Sequence, residues 1–198
     1  MLRNFGQEKS SITNDHKPSE PDEQARIFSV GGKVYQSNVM NPSGVRGDPP
    51  VLGPVRVFPG RLSVSRTFGD CMAKMEKYGG NPRCIIAEPE IFCVDIGQDL
   101  DFILIGSDGI FDRISTEDTV QLVVDEARHL TETMKVSSRH NQGTFEHVAQ
   151  VCGEAVDKVM GSAMECESMD NLSVVIITFK NFTRYLESIE PQQGIVTQ

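Results

Sequence analysis

Two short runs of continuous apolar residues constrain the fold of this chain more than any other feature. Residues 102–105 read Phe-Ile-Leu-Ile, and residues 174–177 read Val-Val-Ile-Ile. Apolar runs of this length, bounded by turn-forming residues, predict buried β-strands. Each run adjoins a carboxylate, because Asp108 follows the first run and Asp170 precedes the second. Each of the two predicted buried strands therefore lies within a few residues of an acidic side chain.

The two aspartates meet if the two strands pair antiparallel, because the end of one strand then lies beside the start of the other. Gly109 and Asn171 follow the aspartates and suit the tight or left-handed turns that this arrangement needs. Neighbouring carboxylates repel, and a hard divalent cation such as Mg²⁺, Mn²⁺ or Ca²⁺ removes that repulsion. The alternative is that both aspartates only cap turns, and spacing alone does not decide between the two interpretations.

The remaining pattern predicts a mixed protein of the α+β class. Two amphipathic helices are expected between the strands, one capped by Ser115 with Asp118 and one over residues 148–161. Further expected elements are a strand at residues 33–36, a long surface loop over 37–59, one or two edge strands over 84–96, and a polar, loosely attached tail after Phe182. This order favours a layered α+β sandwich over a doubly wound parallel sheet.

Charge and cysteine usage exclude several classes of function. The net charge of −9 argues against a nucleic-acid or anionic-membrane surface. No apolar run approaches the roughly 20 residues that a membrane-spanning helix needs. The five cysteines are irregularly spaced and lack a C-x-x-C pair, which predicts free, reduced thiols rather than a zinc site or disulfides. With no signal-peptide pattern at the start, we expect an intracellular, cytoplasmic protein without a membrane span or nucleic-acid partner.

Six segments in order resemble the metal-dependent protein serine/threonine phosphatases of the type 2C family. They are ITNDHKP at 12–18; a block with Glu23, Arg26, Ile27, Gly31 and Gly32; GRLSVSRTFGD from Gly60 to Asp70; PEI at 89–91; SDGIFD from Ser107 to Asp112; and DNLSV from Asp170 to Val174. The family to which they are similar folds as a four-layer α/β/β/α sandwich of two antiparallel sheets. We therefore expect part of such a sandwich.

The resemblance also implies an activity and a set of ligands. The family hydrolyses phosphoserine and phosphothreonine in phosphoproteins, using water activated by two Mg²⁺ or Mn²⁺ ions. By motif match, Asp108 and Asp170 resemble two metal ligands, and Asp112 matches the position that contacts a weaker third ion. No catalytic side chain beyond the metal ligands is expected. The resemblance further implies that Arg66 and Asp70 pair within the fold, whereas the lack of ligand spacing at His129, His140 and His147 predicts surface residues.

The first half of the family pattern is absent. Neither R-x-x-M-E-D, with its phosphate-binding arginine, nor D-G-H-G-G, with its bridging aspartate, occurs in the sequence. We expect residues 1–182 to be the C-terminal part of a phosphatase domain, with Met1 as an internal methionine and 183–198 as a polar tail. We expect only part of the two-ion site, little or no phosphatase activity for the chain alone, and a second chain supplying the missing half. The alternative is a non-catalytic pseudophosphatase or interaction module.

Overall fold

A computed structural model provides the structure of the protein and describes residues 1–39, 50–137 and 144–189. The chain forms two compact units. The first comprises Met1–Ile12 and Cys93–Gln198, and the second comprises Thr13–Phe92. The described elements are, in chain order, β1 (Leu2–Arg3), β2 (Glu8–Lys9), α1 (Pro21–Ser29), β3 (Lys33–Tyr35), β4 (Asn38–Val39), β5 (Val51–Leu52), β6 (Arg56–Phe58), α2 (Cys71–Lys74), a 3-10 turn (Glu76–Tyr78), β7 (Leu100–Gly106), α3 (Asp108–Phe111), α4 (Thr116–Ser137), α5 (Phe145–Glu165), β8 (Val174–Thr178) and α6 (Lys180–Ser188).

A four-stranded sheet in the order β2-β1-β7-β8 forms the centre of the first unit. Every neighbouring pair in it is antiparallel. The two apolar runs are thus β7 and β8, paired directly from Phe102 opposite Thr178 to Gly106 opposite Val174. The predicted strands and the mixed α+β fold are confirmed, and the two strands pair antiparallel, which is the condition under which the aspartates meet.

The two faces of this sheet have different environments. One face packs on the helices and forms the core, whose fully buried side chains include Leu2, Phe102, Val123, Val151, Val159 and Phe182. The opposite face presents Ile105, Val175 and Ile177, which are 55%, 54% and 43% exposed. The first unit therefore contains one helix layer and one sheet layer, with an apolar sheet surface open to solvent.

Helix α4 begins where the sequence predicted, whereas α5 begins at Phe145, three residues before the predicted range of 148–161. The Ser115 hydroxyl accepts from the Asp118 amide at 3.0 Å and donates to the Asp118 carboxylate at 2.8 Å, at the start of α4. Thr144 caps α5 by accepting from the His147 amide at 3.3 Å. Helix α5 runs to Glu165 and is longer than the predicted 148–161 because Gly161 lies inside the helix without ending it.

The second unit is smaller and has its own core. Strand β3 pairs antiparallel with β6, and β4 pairs with β5. Five buried residues pack together in it: Ile27, Val57, Ala73, Cys84 and Ile85. The segment 37–59, expected as one surface loop, contains three short strands, while its residues 40–49 lie outside the described part of the chain.

Two expectations were wrong. Residues 84–96 form no strand, apart from a single bridge between Arg66 and Ile86, because no described strand offers them a ladder and Pro89 cannot donate to one. The start of the expected loose tail is helical, since α6 continues to Ser188. Tyr185 and Leu186 pack into the core of the first unit, which holds this segment in place, while residues 190–198 lie outside the described chain.

Candidate functional site

The end of β7 and the start of β8 lie side by side. Gly106 pairs with Val174, and the Ser107 amide continues the ladder by donating to the Ser173 carbonyl at 3.0 Å. Asp108 comes next on one strand and Asp170 shortly before the other, so both stand at the same edge of the sheet. This is the juxtaposition that antiparallel pairing predicted.

A polar cleft of about 420 Å³ opens at this edge. Its lining is formed by Asp108, Gly109, Asp112, Arg113, Ser168, Met169 and Asp170. The structure thus brings all three residues of the predicted metal site into one cleft, on the surface of the first unit. Whether they bind metal remains a prediction.

One oxygen of each principal carboxylate is held by its own turn. Asp108 Oδ1 accepts from the Gly109 amide at 3.0 Å, and Asp170 Oδ1 accepts from the Asn171 amide at 2.7 Å. Among the described residues, no other hydrogen bond to these two carboxylates is found. Both residues are exposed, so the second oxygen of each is available to a ligand.

Ser107 joins the two turns directly. Its hydroxyl donates to the Asn171 carbonyl at 2.9 Å and accepts from the Ser173 amide at 3.1 Å. Gly109 allows the close approach, because a Cβ at this position would lie 2.5 Å from the Asn171 carbonyl oxygen. Ser107 and Gly109 of the matched SDG motif therefore make the close contact between the turns that carry Asp108 and Asp170.

The segment at the end of α5 forms one side of the cleft. Glu167 adopts a left-handed conformation with φ of 59°. Its amide donates to the Met164 carbonyl, and the Ser168 amide donates to the Ala163 carbonyl, which is the hydrogen-bond pattern of a Schellman cap. The Ser168 hydroxyl then donates to the Gly109 carbonyl at 2.7 Å. The sequence analysis did not identify Ser168, because this residue belongs to no matched motif. The signal that could have identified it is its position between the end of a helix and Asp170.

The donor set fits part of a hard-cation site. Carboxylate oxygens are suitable ligands for Mg²⁺ or Mn²⁺, and Mg²⁺ in proteins is usually bound through one or two carboxylates while it keeps several waters. Within residues 1–39, 50–137 and 144–189, however, no three His, Cys, Asp or Glu side chains are grouped so that they could hold an ion. The described residues therefore offer Asp108 and Asp170 as a pair of ligands and do not form a complete protein cage.

A buried ion-pair network stabilises the second unit. The Glu23 carboxylate accepts from Arg26 at 2.7 Å and from Arg66 at 2.6 Å. Arg66 also donates to the Glu88 carbonyl at 3.0 Å, so this arginine links α1 to the segment around residue 88. Arg66 is paired within the fold, but its partner is Glu23 and not Asp70. Asp70 instead precedes α2 in a left-handed conformation, and its side chain forms no capping hydrogen bond.

The histidines differ from expectation at one position. His129 is exposed, as predicted, and His140 lies outside the described residues. His147 was expected at the surface but is only 4% exposed, and its Nε2 lies 3.5 Å from the Thr131 hydroxyl. His147 is buried because it lies on the face of α5 that packs on α4. The five cysteines are free thiols, in agreement with the sequence prediction.

Comparison with known proteins shows the family. The model of the family "Protein phosphatase 2C" matches residues 1–143, and the chain belongs to this family. "Protein phosphatase 2C 50" of Oryza sativa subsp. japonica is 28% identical over 178 residues, which cover 88% of this chain and 39% of the rice protein. Human "Protein phosphatase 1G" is 26% identical over 186 residues, covering 92% of this chain and 29% of the human protein.

Solved structures agree on the fold. A C. elegans sex-determining protein superposes with a TM-score of 0.58 at 25% identity, covering 91% of this chain and 34% of that one. A phosphatase from Toxoplasma gondii gives a TM-score of 0.50 at 24% identity, over 87% of this chain and 42% of that one. The chain thus spans well under half the length of these relatives. No helix among the described residues combines the length and apolar character needed to cross a bilayer.

Proposed function

We propose that this chain carries part of the catalytic centre of a metal-dependent protein serine/threonine phosphatase, which removes phosphate from phosphoserine and phosphothreonine in phosphoproteins. The observation that supports this most is the convergence of Asp108 and Asp170 at one sheet edge, within a single polar cleft. Both residues belong to motifs of the family that the chain matches. Fold alone would not carry this proposal, because catalysis depends on the site.

Each acidic residue of the cleft has a role in this proposal. Asp108 and Asp170 bind divalent cations, Mg²⁺ or Mn²⁺, through the oxygens that their own turns leave available. Asp112, at the end of α3, contacts a further, weaker ion. When bound, the ions would supply an activated water and offset the charge of the phosphoryl oxygens. The hydrogen bonds at Ser107, Gly109 and Asn171 keep the carboxylates in place without ions, which limits reorganisation on binding.

A further polypeptide completes the site and covers the open sheet face. Ile105, Val175 and Ile177 are β-branched, lie on adjacent strands and are all exposed on that face. Apolar residues on both faces of a strand are typical of sheets that are buried on both sides. The covering polypeptide corresponds to the portion of the phosphatase relatives that this chain does not span. It also supplies the ligands that the described residues lack.

Phosphate release from a phosphothreonine peptide tests this function. The 198-residue chain is assayed with Mn²⁺, alone and together with a polypeptide that supplies the remaining portion of a curated relative. We expect Mn²⁺-dependent release in the combined sample, and its loss in Asp108→Asn and Asp170→Asn. If the combined sample releases no phosphate, or if both variants remain as active as the unsubstituted chain, the proposal is wrong. A non-catalytic interaction module would then be the better account.

The expected intracellular, cytoplasmic location also remains a proposal. Its support is the set of five free thiols and the acidic charge. Fractionation of cells with an antibody against residues 116–137 would test it, and recovery in a secreted fraction would contradict it.

A further inference from the structure

Two serine hydroxyls connect the turns that carry Asp108 and Asp170, one from each side. Ser107 immediately precedes Asp108 and donates to the Asn171 carbonyl at 2.9 Å. Ser168 lies two residues before Asp170 and donates to the Gly109 carbonyl at 2.7 Å. Each bond runs from a serine side chain near one aspartate to a backbone carbonyl beside the other. The two turns are therefore joined by two hydroxyl links.

The position of Ser168 is fixed independently of the cleft. Its amide donates to the Ala163 carbonyl at 3.0 Å in the cap that ends α5. Helix α5 is anchored in the core by Val151, Ala155, Val159 and Ala163, none of which is exposed. The hydroxyl consequently starts from a rigid helix end and reaches α3 at the Gly109 carbonyl. A movement that carries Ser168 away from Gly109 has to break this bond.

We infer that Ser168 is a positioning residue of the candidate metal centre. Its hydroxyl sets the separation of the Asp108 and Asp170 carboxylates by holding the turn before Asp170 against the turn after Asp108. This inference rests on the proposed function, in which both aspartates bind metal. Groups that orient metal ligands without touching the metal commonly change metal affinity by 10- to 100-fold when they are removed.

A purely structural role makes a different prediction. Ser188 offers a matched comparison, because its hydroxyl also donates to a backbone carbonyl, that of Tyr185, at 2.7 Å. Ser188 lies on α6 and does not line the cleft. If Ser168 only stabilises the fold, both Ser168→Ala and Ser188→Ala change the melting temperature, and neither changes the affinity for metal. If Ser168 positions the carboxylates, only Ser168→Ala weakens metal binding.

The experiment measures Mn²⁺ affinity of the 198-residue chain by the electron paramagnetic resonance signal of free Mn²⁺, with the melting temperature recorded for each sample. We expect Ser168→Ala to weaken Mn²⁺ binding about tenfold. Ser168→Thr, which keeps a hydroxyl, restores affinity to within about twofold of the unsubstituted chain, and Ser188→Ala leaves it unchanged. Ser107→Ala removes the second link and serves as an independent variant if Ser168→Ala does not fold; it too weakens binding.

The outcomes separate this inference from the proposed function. The positioning role is overturned if the unsubstituted chain binds Mn²⁺ and if Ser168→Ala and Ser107→Ala each bind it with the same affinity. The phosphatase assignment then stays intact. Weakened binding in Ser168→Ala that Ser168→Thr does not restore also overturns it, because the hydroxyl is then not the cause. If the unsubstituted chain binds no Mn²⁺, the metal centre itself is contradicted, and the inference falls with it.

Discussion

Arg66 donates from Nη2 to Glu23 Oε1 at 2.6 Å, and this bond joins helix α1 to the segment that contains the SVSR sequence. Glu23 is only 3% exposed, so its carboxylate depends on protein partners in place of water. Burial alone would raise the pKa of Glu23, but hydrogen bonds from Arg26 and Arg66 outweigh it and lower the pKa to about 2. The ionised carboxylate is thus the form that the folded unit requires.

The pH dependence of stability follows from that lowered pKa. The contribution of Glu23 is fully present above its ordinary pKa of 4.5 and is lost as the pH falls through the folded value of about 2. We expect Glu23→Gln to lower the free energy of unfolding by about 3 kcal/mol at pH 6, with the difference shrinking toward pH 2. Urea unfolding at several pH values measures this.

Glu20→Gln is the matched control for Glu23, because Glu20 is exposed and forms no side-chain cap on the same helix. It should change stability by no more than about 0.5 kcal/mol at any pH. A difference between Glu23→Gln and the unsubstituted chain that stays constant from pH 6 to pH 3 would show that the ion-pair network is not what the substitution removes.

Gly109→Ala should separate the two turns of the cleft. The added Cβ would lie 2.5 Å from the Asn171 carbonyl oxygen and 3.1 Å from Leu172 Cδ2, so one turn has to move. We expect a loss of about 1–3 kcal/mol in the free energy of unfolding, typical of overpacking. Chemical denaturation measures it.

Gly153→Ala provides the comparison with the same chemical change. Apart from its chain neighbours and the backbone of its own helix, no atom of the described residues lies within 4 Å of a Cβ at Gly153, which sits inside helix α5. That substitution should stabilise the chain by about 0.5–1 kcal/mol, because alanine favours the helix. Equal effects of the two substitutions would mean that the close contact between Gly109 and Asn171 does not exist in solution.

Asn181→Ala tests the buried carboxylate of Asp101, which among the described residues is not paired with an arginine as Glu23 is. Asp101 is fully buried and accepts from Asn181 Nδ2 at 2.6 Å and from the Gly6 amide at 3.1 Å. Burial raises the pKa of Asp101, so its contribution to stability is present below the ordinary value of 3.8 and is lost as the pH rises through the folded pKa. Removing the Asn181 donor penalises the ionised form most.

We therefore expect Asn181→Ala to cost about 2 kcal/mol at pH 7 and clearly less at pH 3, where Asp101 is protonated. Asn81→Ala is the control, because Asn81 donates to a neutral carbonyl, that of Val30, and its cost should not vary with pH. The explanation fails if the cost of Asn181→Ala is larger at pH 3 than at pH 7.

The elements that the sequence predicted well share a strong local signal. β7 and β8 are continuous apolar runs, and α4 and α5 combine helical periodicity with serine or threonine caps. The meeting of Asp108 and Asp170 followed from these strands, because antiparallel pairing leaves little freedom at the shared edge. Their ligand role came from the family resemblance and remains a prediction.

The errors arose where long-range packing decides the structure. Residues 84–96 have the composition of strands, yet a strand exists only where a partner offers a ladder, and here Cys84 and Ile85 are buried in a core of side chains instead. The segment after Phe182 looked polar because its buried residues, Tyr185, Leu186 and Ile189, are few among polar neighbours. Ser168 was missed because its hydrogen bond crosses 59 residues of sequence.

The central claim is that Asp108 and Asp170 together bind a divalent cation. Isothermal titration of the 198-residue chain with Mn²⁺ tests it most directly, using Asp108→Asn, Asp170→Asn and, as a control of equal charge change, the exposed Asp157→Asn on α5. The account predicts Mn²⁺ binding that either cleft substitution weakens at least tenfold and that Asp157→Asn leaves unchanged. No binding by the unsubstituted chain, or equal binding by all three variants, would contradict it.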